Sequence, residues 1–460
     1  MLQEDTYEDK SSLSRQYLVK VSLLMKAIIS NKIYMTVEPS MCRQLEKQLT
    51  YNIPSYNEPE KFMTIKNLKV INYNVAGGKM LVAFPVGRID LIPKSFEVVD
   101  KRALNTIDDF PEFKFDLRPS QQAIYDAVDD NCIINAKVGY GKTFTGLAIA
   151  SKLMQKTLIV VHTVALRNQW EKEIVKTLGI KPGVIGSGKF NIDSPVVVAN
   201  IQSLVKHISV INREFGLVIL DEMHHVSSPT FSKVIDGMFS RYKIGLSGTI
   251  ERKDQKHVVF KDYFGSTIFK PDKENTMIPE VHVVHSGIQF SDHSGSAWAE
   301  KINVLKTSYL YRDLVVALAD KYSDEGHRVV IVSERVEFLK ECSKASRHKS
   351  EVLIGEIKDE RERERIIQSV YNGEVSQLWG TQSLVSEGLS INPLSCLILA
   401  TPLNNMPLLE QLIGRVIREH PEKPRPVVVD IRLEGNTVNR QYSNRLGHYM
   451  KEGYEIKFIK

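Results

Sequence analysis

From Phe115 onward the chain repeats one pattern. A short run of apolar, mostly β-branched residues ends in polar ones and is followed by a stretch with helical spacing. TLIVVHT, SPVVVANI, FGLVILDE and RYKIGLSG form one series. RVVIVSE, SEVLIG, SQLWGTQ, SCLILATP and RPVVVDI form a second, in a region that begins near Tyr309. Strands that are apolar throughout are buried on both faces, and such strands alternating with helices make a parallel α/β sheet. Ligands of these sheets bind beyond the carboxyl ends of the strands, where the polar residues of each run fall. Two series in tandem predict two α/β units of similar size.

Residues up to about Asp100 differ. MTIKNLKVINYNV and KMLVAFPVGRIDLIP are strand-like and flank Ala76-Gly77-Gly78, a turn signal that predicts a hairpin. Residues 39–49 predict a short helix, and 17–37 fit helix or strand equally. The expected organisation is an N-terminal α+β domain over 1–105, a first lobe over 106–275, a linker over 276–305 carrying one strand (VHVVHSG), and a second lobe over 306–460.

The 460 residues suffice for two or three domains, and 42% hydrophobic with 25% charged residues is an ordinary globular composition. A net charge of +6 permits nucleic acid as a partner without requiring it. Cys42, Cys132, Cys342 and Cys396 form no C-x-x-C, which argues for a reducing compartment and against a zinc site or disulfide framework. The start, MLQEDTYEDK, does not read as a signal peptide. No apolar run approaches the roughly 18 residues of a membrane span. The expectation is a cytoplasmic, monomeric protein with no membrane contact, in a bacterial or phage-infected cytosol.

Three constellations carry chemistry. The first is Ala136-Lys-Val-Gly139-Tyr140-Gly141-Lys142-Thr143, between an apolar run (Cys132-Ile-Ile-Asn) and a helical one. It fits the P-loop G-x-x-x-x-G-K-[ST], with alanine in the first glycine position. A strand, a glycine-rich loop and a helix N-terminus turn backbone N–H groups toward anionic oxygens. Lys142 would reach the β and γ phosphates of a nucleotide, and the Thr143 hydroxyl would help hold Mg²⁺. The second is Asp221-Glu222 at the end of FGLVIL. Asp221 would share the Mg²⁺, and Glu222 would orient or deprotonate the water that attacks the γ phosphate. The third is Gln411-Leu-Ile-Gly-Arg415-Val-Ile-Arg418 in the second series. On a helix these three polar residues share a face, and guanidinium groups suit phosphate oxygens and transition-state charge.

With these motifs in order, the sequence from about Phe115 to Ile431 resembles the superfamily 2 DExH helicases and translocases. Leu117-Arg118-Pro119-Ser120-Gln121 resembles the Q-motif, which implies that Arg118 and Gln121 serve the nucleotide, Gln121 by reading adenine. A-x-x-G-x-G-K-T is this family's usual P-loop, so Ala136 is normal here. Val161-His162-Thr163 through Arg167 to Trp170 resembles motif Ia, Ala199-Asn-Ile-Gln202-Ser203 motif Ib, and Asp221-Glu222-Met223-His224 the DExH box. Leu246-Ser247-Gly248-Thr249 resembles motif III, with Gly248 where alanine is commoner. Gly380-Thr381 through Glu387-Gly388 to Ser390 resembles motif V, with Ser390 where an acidic residue is usual, and Gln411 to Arg418 is motif VI.

The resemblance implies two RecA-like lobes that bind ATP in their cleft, with Gly139, Tyr140 and Gly141 cradling it. Gln411, Arg415 and Arg418 would act as arginine-finger machinery. Backbone contacts to nucleic acid would come from Thr163, Arg167, Gln202, Ser203 and Thr381, and coupling of hydrolysis to movement from His224, Ser247, Thr249, Glu387 and Gly388. LRPSQ, ALRNQWEKE, DEMHH, GLSGTIERKD and the later YFG resemble the DNA-directed branch containing XPB-like and UvsW-type phage recombination helicases. That implies an ATP-driven DNA motor acting on forks or four-way junctions with 3′ to 5′ polarity. The N-terminal domain would sense duplex DNA through a Lys-rich hairpin (Lys61, Lys66, Lys69, Lys79). Two other readings are an RNA- or RNA:DNA-directed helicase, since backbone contacts do not reveal 2′-OH recognition, and a nucleic-acid scaffold that does not hydrolyse ATP.

Overall fold

The computed structural model describes residues 25–57, 62–137, 139–223, 229–248, 256–271, 276–290, 298–386, 391–421 and 423–459. The chain divides into two compact units, Met1–Ala136 with Lys142–Asp272 and Lys137–Gly141 with Lys273–Lys460.

The N-terminal part of the first unit contains β1 (Lys26–Ile29), β2 (Lys32–Val37), α1 (Pro39–Gln48), β3 (Thr50–Asn57), β4 (Phe62–Lys69), β5 (Asn72–Ala76), β6 (Lys79–Pro85) and β7 (Glu97–Asp100). Five of the strands form a sheet in the order β5-β6-β2-β1-β7. Strand β2 alternates half-buried and buried residues, as a sheet with one covered face requires. The β5–β6 hairpin turns on Gly77 and Gly78, whose φ angles of +58° and +77° favour glycine. One expectation is corrected. Strand β4 is not continuous with β5 but pairs antiparallel with β3 in a separate ribbon. Ile71 is buried in the N-terminal core and the Val70 N–H donates to Leu49 O at 2.9 Å, so the chain changes sheets there. The lysines are therefore split: Lys66 and Lys69 lie on β4, Lys79 on β6, and Lys61 outside the described residues. Lys69 is paired with Glu46 at 2.5 Å.

The larger part of the first unit is α2 (Pro119–Ala127), β8 (Cys132–Asn135), α3 (Lys142–Leu153), β9 (Thr157–Val161), α4 (Val164–Leu178), β10 (Gly183–Gly186), β11 (Lys189–Asn191) and β12 (Val196–Asn200). It continues through α5 (Ile201–Leu204), α6 (Ile208–Ile211), β13 (Leu217–Leu220), α7 (Pro229–Gly237), β14 (Tyr242–Ser247), α8 (Phe260–Phe264) and β15 (Ile268–Phe269). The sheet order is β11-β10-β12-β9-β13-β14-β8-β15, parallel except for the β10–β11 hairpin. Strands β9, β12 and β13 are buried at every position, and their apolar side chains join those of α8 in one core.

The N-terminal sheet is joined to this sheet by a seam. The Tyr51 hydroxyl donates to Asp262 Oδ1 at 3.0 Å, and Arg88 Nη1 donates to the same oxygen at 3.2 Å. A Cβ on Gly87 would lie 2.3 Å from the Lys261 carbonyl oxygen. Asn31 donates to the Asp236 carbonyl at 2.7 Å, beside a Lys32–Asp236 ion pair at 2.9 Å.

The second unit holds β16 (Glu280–Gln289), α9 (Trp298–Thr307), α10 (Tyr309–Asp324), β17 (Val329–Ser333), α11 (Val336–Ala345), β18 (Ser350–Leu353), α12 (Glu360–Asn372) and β19 (Gln377–Thr381). It ends with α13 (Gln382–Ser386), β20 (Cys396–Leu399), α14 (Met406–Val416), β21 (Val427–Glu434), α15 (Asn436–Lys451) and β22 (Glu455–Ile459). The all-parallel order is β18-β19-β17-β20-β21-β16-β22. The strand expected inside a linker, β16, instead lies between β21 and β22 in this sheet. A buried triad closes the unit: Arg445 makes a bidentate pair with Asp430 at 2.7 and 2.8 Å and donates to Leu403 O at 2.8 Å. Among the described residues no helix is long and apolar enough to cross a membrane.

Candidate nucleotide site and strand-end contacts

Strand β8 delivers the P-loop. The Ala136 N–H donates to Ser247 O at 3.0 Å, tying the start of the loop to the end of β14. Gly139 and Gly141 have φ of +91° and +90°, which side chains with a Cβ rarely adopt. Helix α3 opens at Lys142, whose Nζ donates to Ala136 O at 2.9 Å, and Thr143 is half-buried in the first turn. Tyr140 is buried. Gln121 is buried at the third position of α2, and its Oε1 accepts the Arg118 N–H at 3.1 Å. Asp221 follows β13, 5% exposed. Trp170 Nε1 donates to its Oδ2 at 2.8 Å and the Glu222 N–H to its Oδ1 at 3.0 Å. Burial and the Glu222 charge push the Asp221 carboxyl up, while Trp170 and Lys142 draw it down. Glu222 has φ of +50°, a strained conformation for a side chain with a Cβ. This donor set fits a nucleotide with a divalent cation: a glycine-rich loop and an ammonium for phosphate oxygens, a hydroxyl and a carboxylate for the metal.

The expected nucleic-acid contacts divide into two kinds. Gln202, on α5, is exposed and its Nε2 lies 3.4 Å from His162 O; Ser203 is half-buried on the same short helix, and Thr381 is half-buried at the end of β19. Thr163 caps α4 by accepting the Leu166 N–H at 3.2 Å. Arg167 is buried, and its guanidinium donates to Glu171 at 2.9 Å, Ser187 at 3.0 Å and Asn200 Oδ1 at 2.9 Å. It ties α4 to the loop after β10 and to the end of β12.

In the second unit, Gln411 and Arg415 lie on α14, and Arg415 Nη2 donates to Ser386 O. Arg418 does not share their helical face. The helix ends at Val416, because the Met277 N–H takes Ile417 O at 2.8 Å and Arg418 bridges to Thr276. Arg418 Nη1 donates to Asn392 Oδ1 at 3.3 Å, and burial draws the guanidinium below its ordinary value. Lys423 Nζ donates to Arg418 O at 2.7 Å and Asn392 O at 3.1 Å, and burial with the Arg418 charge pulls its ammonium down to about 7. His224, Thr249, Glu387 and Gly388 lie outside the described residues. Ser247 is buried at the end of β14.

Residues 114–252 match the family described as Type III restriction enzyme, res subunit, and residues 310–420 match the helicase conserved C-terminal domain. The chain is 39% identical over 439 residues to the probable helicase D10 of Escherichia phage T5, covering 94% of this chain and 95% of the relative. This chain is a superfamily 2 helicase. It is also 24% identical to the ATP-dependent DNA helicase uvsW of Enterobacteria phage T4, over 71% of this chain and 69% of that protein. The fold matches S. cerevisiae Dbp5 bound to RNA and ADP BeF3 with a TM-score of 0.55 at 13% identity, over 74% of this chain and 89% of that one.

Two side chains of this helicase have partners that its sequence does not mark. Trp170 shares the inward face of α4 with Leu166 and Ile174. A buried indole needs an acceptor, and that requirement was the available signal; only the fold brings Asp221 to it. Lys423 follows motif VI in a basic, Pro-rich stretch that reads as solvated, and no spacing marks it.

Proposed function

We propose that this helicase hydrolyses ATP with Mg²⁺ to move along DNA and to remodel forks and four-way junctions in recombination, replication or repair. The observation that carries the reading is that Lys142 and Thr143 open α3 just beyond β8 while Asp221 and Glu222 directly follow β13, two strands of the same parallel sheet. Lys142 binds the β and γ phosphates, Thr143 and Asp221 hold the cation, and Gln121 reads the base. Bound Mg²⁺ supplies neutralisation of phosphate charge. Glu222 orients the attacking water and takes its proton. Gln411, Arg415 and Arg418 offset transition-state charge. Thr163, Gln202, Ser203 and Thr381 contact the nucleic-acid backbone, which positions a motor without reading sequence. The DNA assignment is supported by the kinship with a phage DNA helicase, and the branched substrate by the motif spellings shared with recombination helicases.

Steady-state ATPase with single-stranded DNA, duplex, fork, four-way junction and matched RNA tests it, with wild type and Glu222→Gln side by side. Branched DNA should stimulate most, and Glu222→Gln should lower kcat by about 10²–10⁴-fold. Equal stimulation by any single strand would leave a helicase without branch preference. Stimulation by RNA alone would overturn the DNA assignment, and an inert wild type would overturn the motor.

A further inference from the structure

The Asp221 carboxylate receives one hydrogen bond on each oxygen, and one of the two donors comes from a distant element. The Glu222 N–H is its chain neighbour; the Trp170 indole reaches Oδ2 from α4, at 2.8 Å. Trp170 is fully buried, so its ring has no solvent space in which to turn. It also packs on the P-loop helix: a Cβ added to Gly146 of α3 would lie 3.4 Å from Trp170 Cη2. One turn earlier on α4, Arg167 ties the same helix to Asn200 at the end of β12. The indole therefore approaches Asp221 from a helix anchored on two other elements. Each carboxylate oxygen has two lone-pair directions, so fixing one on each also fixes where the other two point.

We propose that Trp170 is a positioning residue for the metal site, its indole N–H holding Asp221 in the one orientation that presents the remaining lone pairs to the cation of a bound nucleotide. The proposal rests on the assignment of an ATP–Mg²⁺ site above. A residue that orients a metal ligand from behind typically alters metal affinity or activity by about 10–100-fold when lost. Trp170 also reports on the site, because its indole bonds the carboxylate that the cation would engage.

Trp170→Phe keeps an aromatic ring and deletes the donor. Two readouts are compared with wild type in the full chain: Mg²⁺ dependence of ATPase, and Mg²⁺ dependence of binding a fluorescent ADP analogue. The half-saturating Mg²⁺ should rise by about tenfold in both, with ADP binding in EDTA unchanged. Wild-type tryptophan emission should change on adding Mg²⁺ with ADP, and the variant should lose that change. Unaltered half-saturating Mg²⁺ with the emission change retained would make Trp170 core packing and nothing more. An ATPase-dead wild type would sink the motor reading, yet nucleotide binding and emission would still decide the role of Trp170. If Trp170→Phe does not fold, indole ¹⁵N–¹H spectra of the wild-type chain, with three tryptophans, replace it. The Trp170 signal must then move with Mg²⁺ plus ADP and stay still with ADP in EDTA; a signal indifferent to Mg²⁺ overturns the proposal.

Discussion

Replacing Arg88 by Met probes the seam between the N-terminal sheet and the first α/β sheet. The Asp262 side chain has no exposed surface, and Oδ1 is shared by the Tyr51 hydroxyl and the Arg88 guanidinium. Burial pushes that carboxyl up, and Tyr51 and Arg88 pull it back. Without Arg88 the buried carboxylate keeps the Tyr51 phenol and the charge of Lys261 but loses its paired guanidinium, a loss of about 3–5 kcal/mol. At about 2–4 °C per kcal/mol, the melting temperature should fall by about 6–20 °C. Asp262→Asn is milder. Arg88 keeps Asp90, at 2.9 and 3.0 Å, and the amide oxygen can still accept from Tyr51 and Arg88, so two hydrogen bonds lose only the charge of their acceptor, about 2 kcal/mol in all. In the double variant the unpaired carboxylate is gone. Its total cost should therefore fall below the sum of the singles by at least about 1 kcal/mol. Urea unfolding of the four proteins at pH 7 measures this. An Arg88→Met protein within about 1 kcal/mol of wild type, or strict additivity in the double variant, would refute the coupled buried pair.

Two further outcomes follow from buried cations. Burial pulls the Lys243 ammonium from 10.5 to about 8. Between those values the unfolded chain holds the proton that the folded chain has released, so wild-type stability gains with rising pH. Urea unfolding should show wild type gaining up to about 3 kcal/mol on Lys243→Met between pH 7 and 10.5, and parallel curves would contradict that. Arg167→Met should weaken DNA binding while leaving the slope of log K against log salt unchanged, because Arg167 is committed to Glu171, Ser187 and Asn200. A slope smaller by about one unit would make it a phosphate contact.

The strands of both α/β sheets were legible because a parallel strand buried on two faces is apolar throughout, and its polar end marks the ligand side. The P-loop was legible because its turn demands glycine at positions 139 and 141. What stayed hidden depends on partners brought from elsewhere. Arg167 reads as a phosphate ligand until Ser187 and Asn200 close on it. MTIKNLKVINYNV reads as one strand because burial of Ile71, not a turn residue, breaks it. Motif VI reads as one helix through Arg418 because the bridge to Thr276 is invisible along the helix itself.

The place of β16 has a consequence for how the chain is made. A ribosome releases Glu280–Gln289 before any of its sheet partners exists, since β21 spans Val427–Glu434 and β22 Glu455–Ile459. The eight-stranded sheet, by contrast, has its last strand at Ile268–Phe269. Synthesis from the N-terminus lets the first unit mature while β16 waits with unpaired edges, an interval in which such strands aggregate. The earliest strand of the second unit to emerge is thus among the last to be paired, and a stalled or truncated chain lacking β21 leaves it exposed.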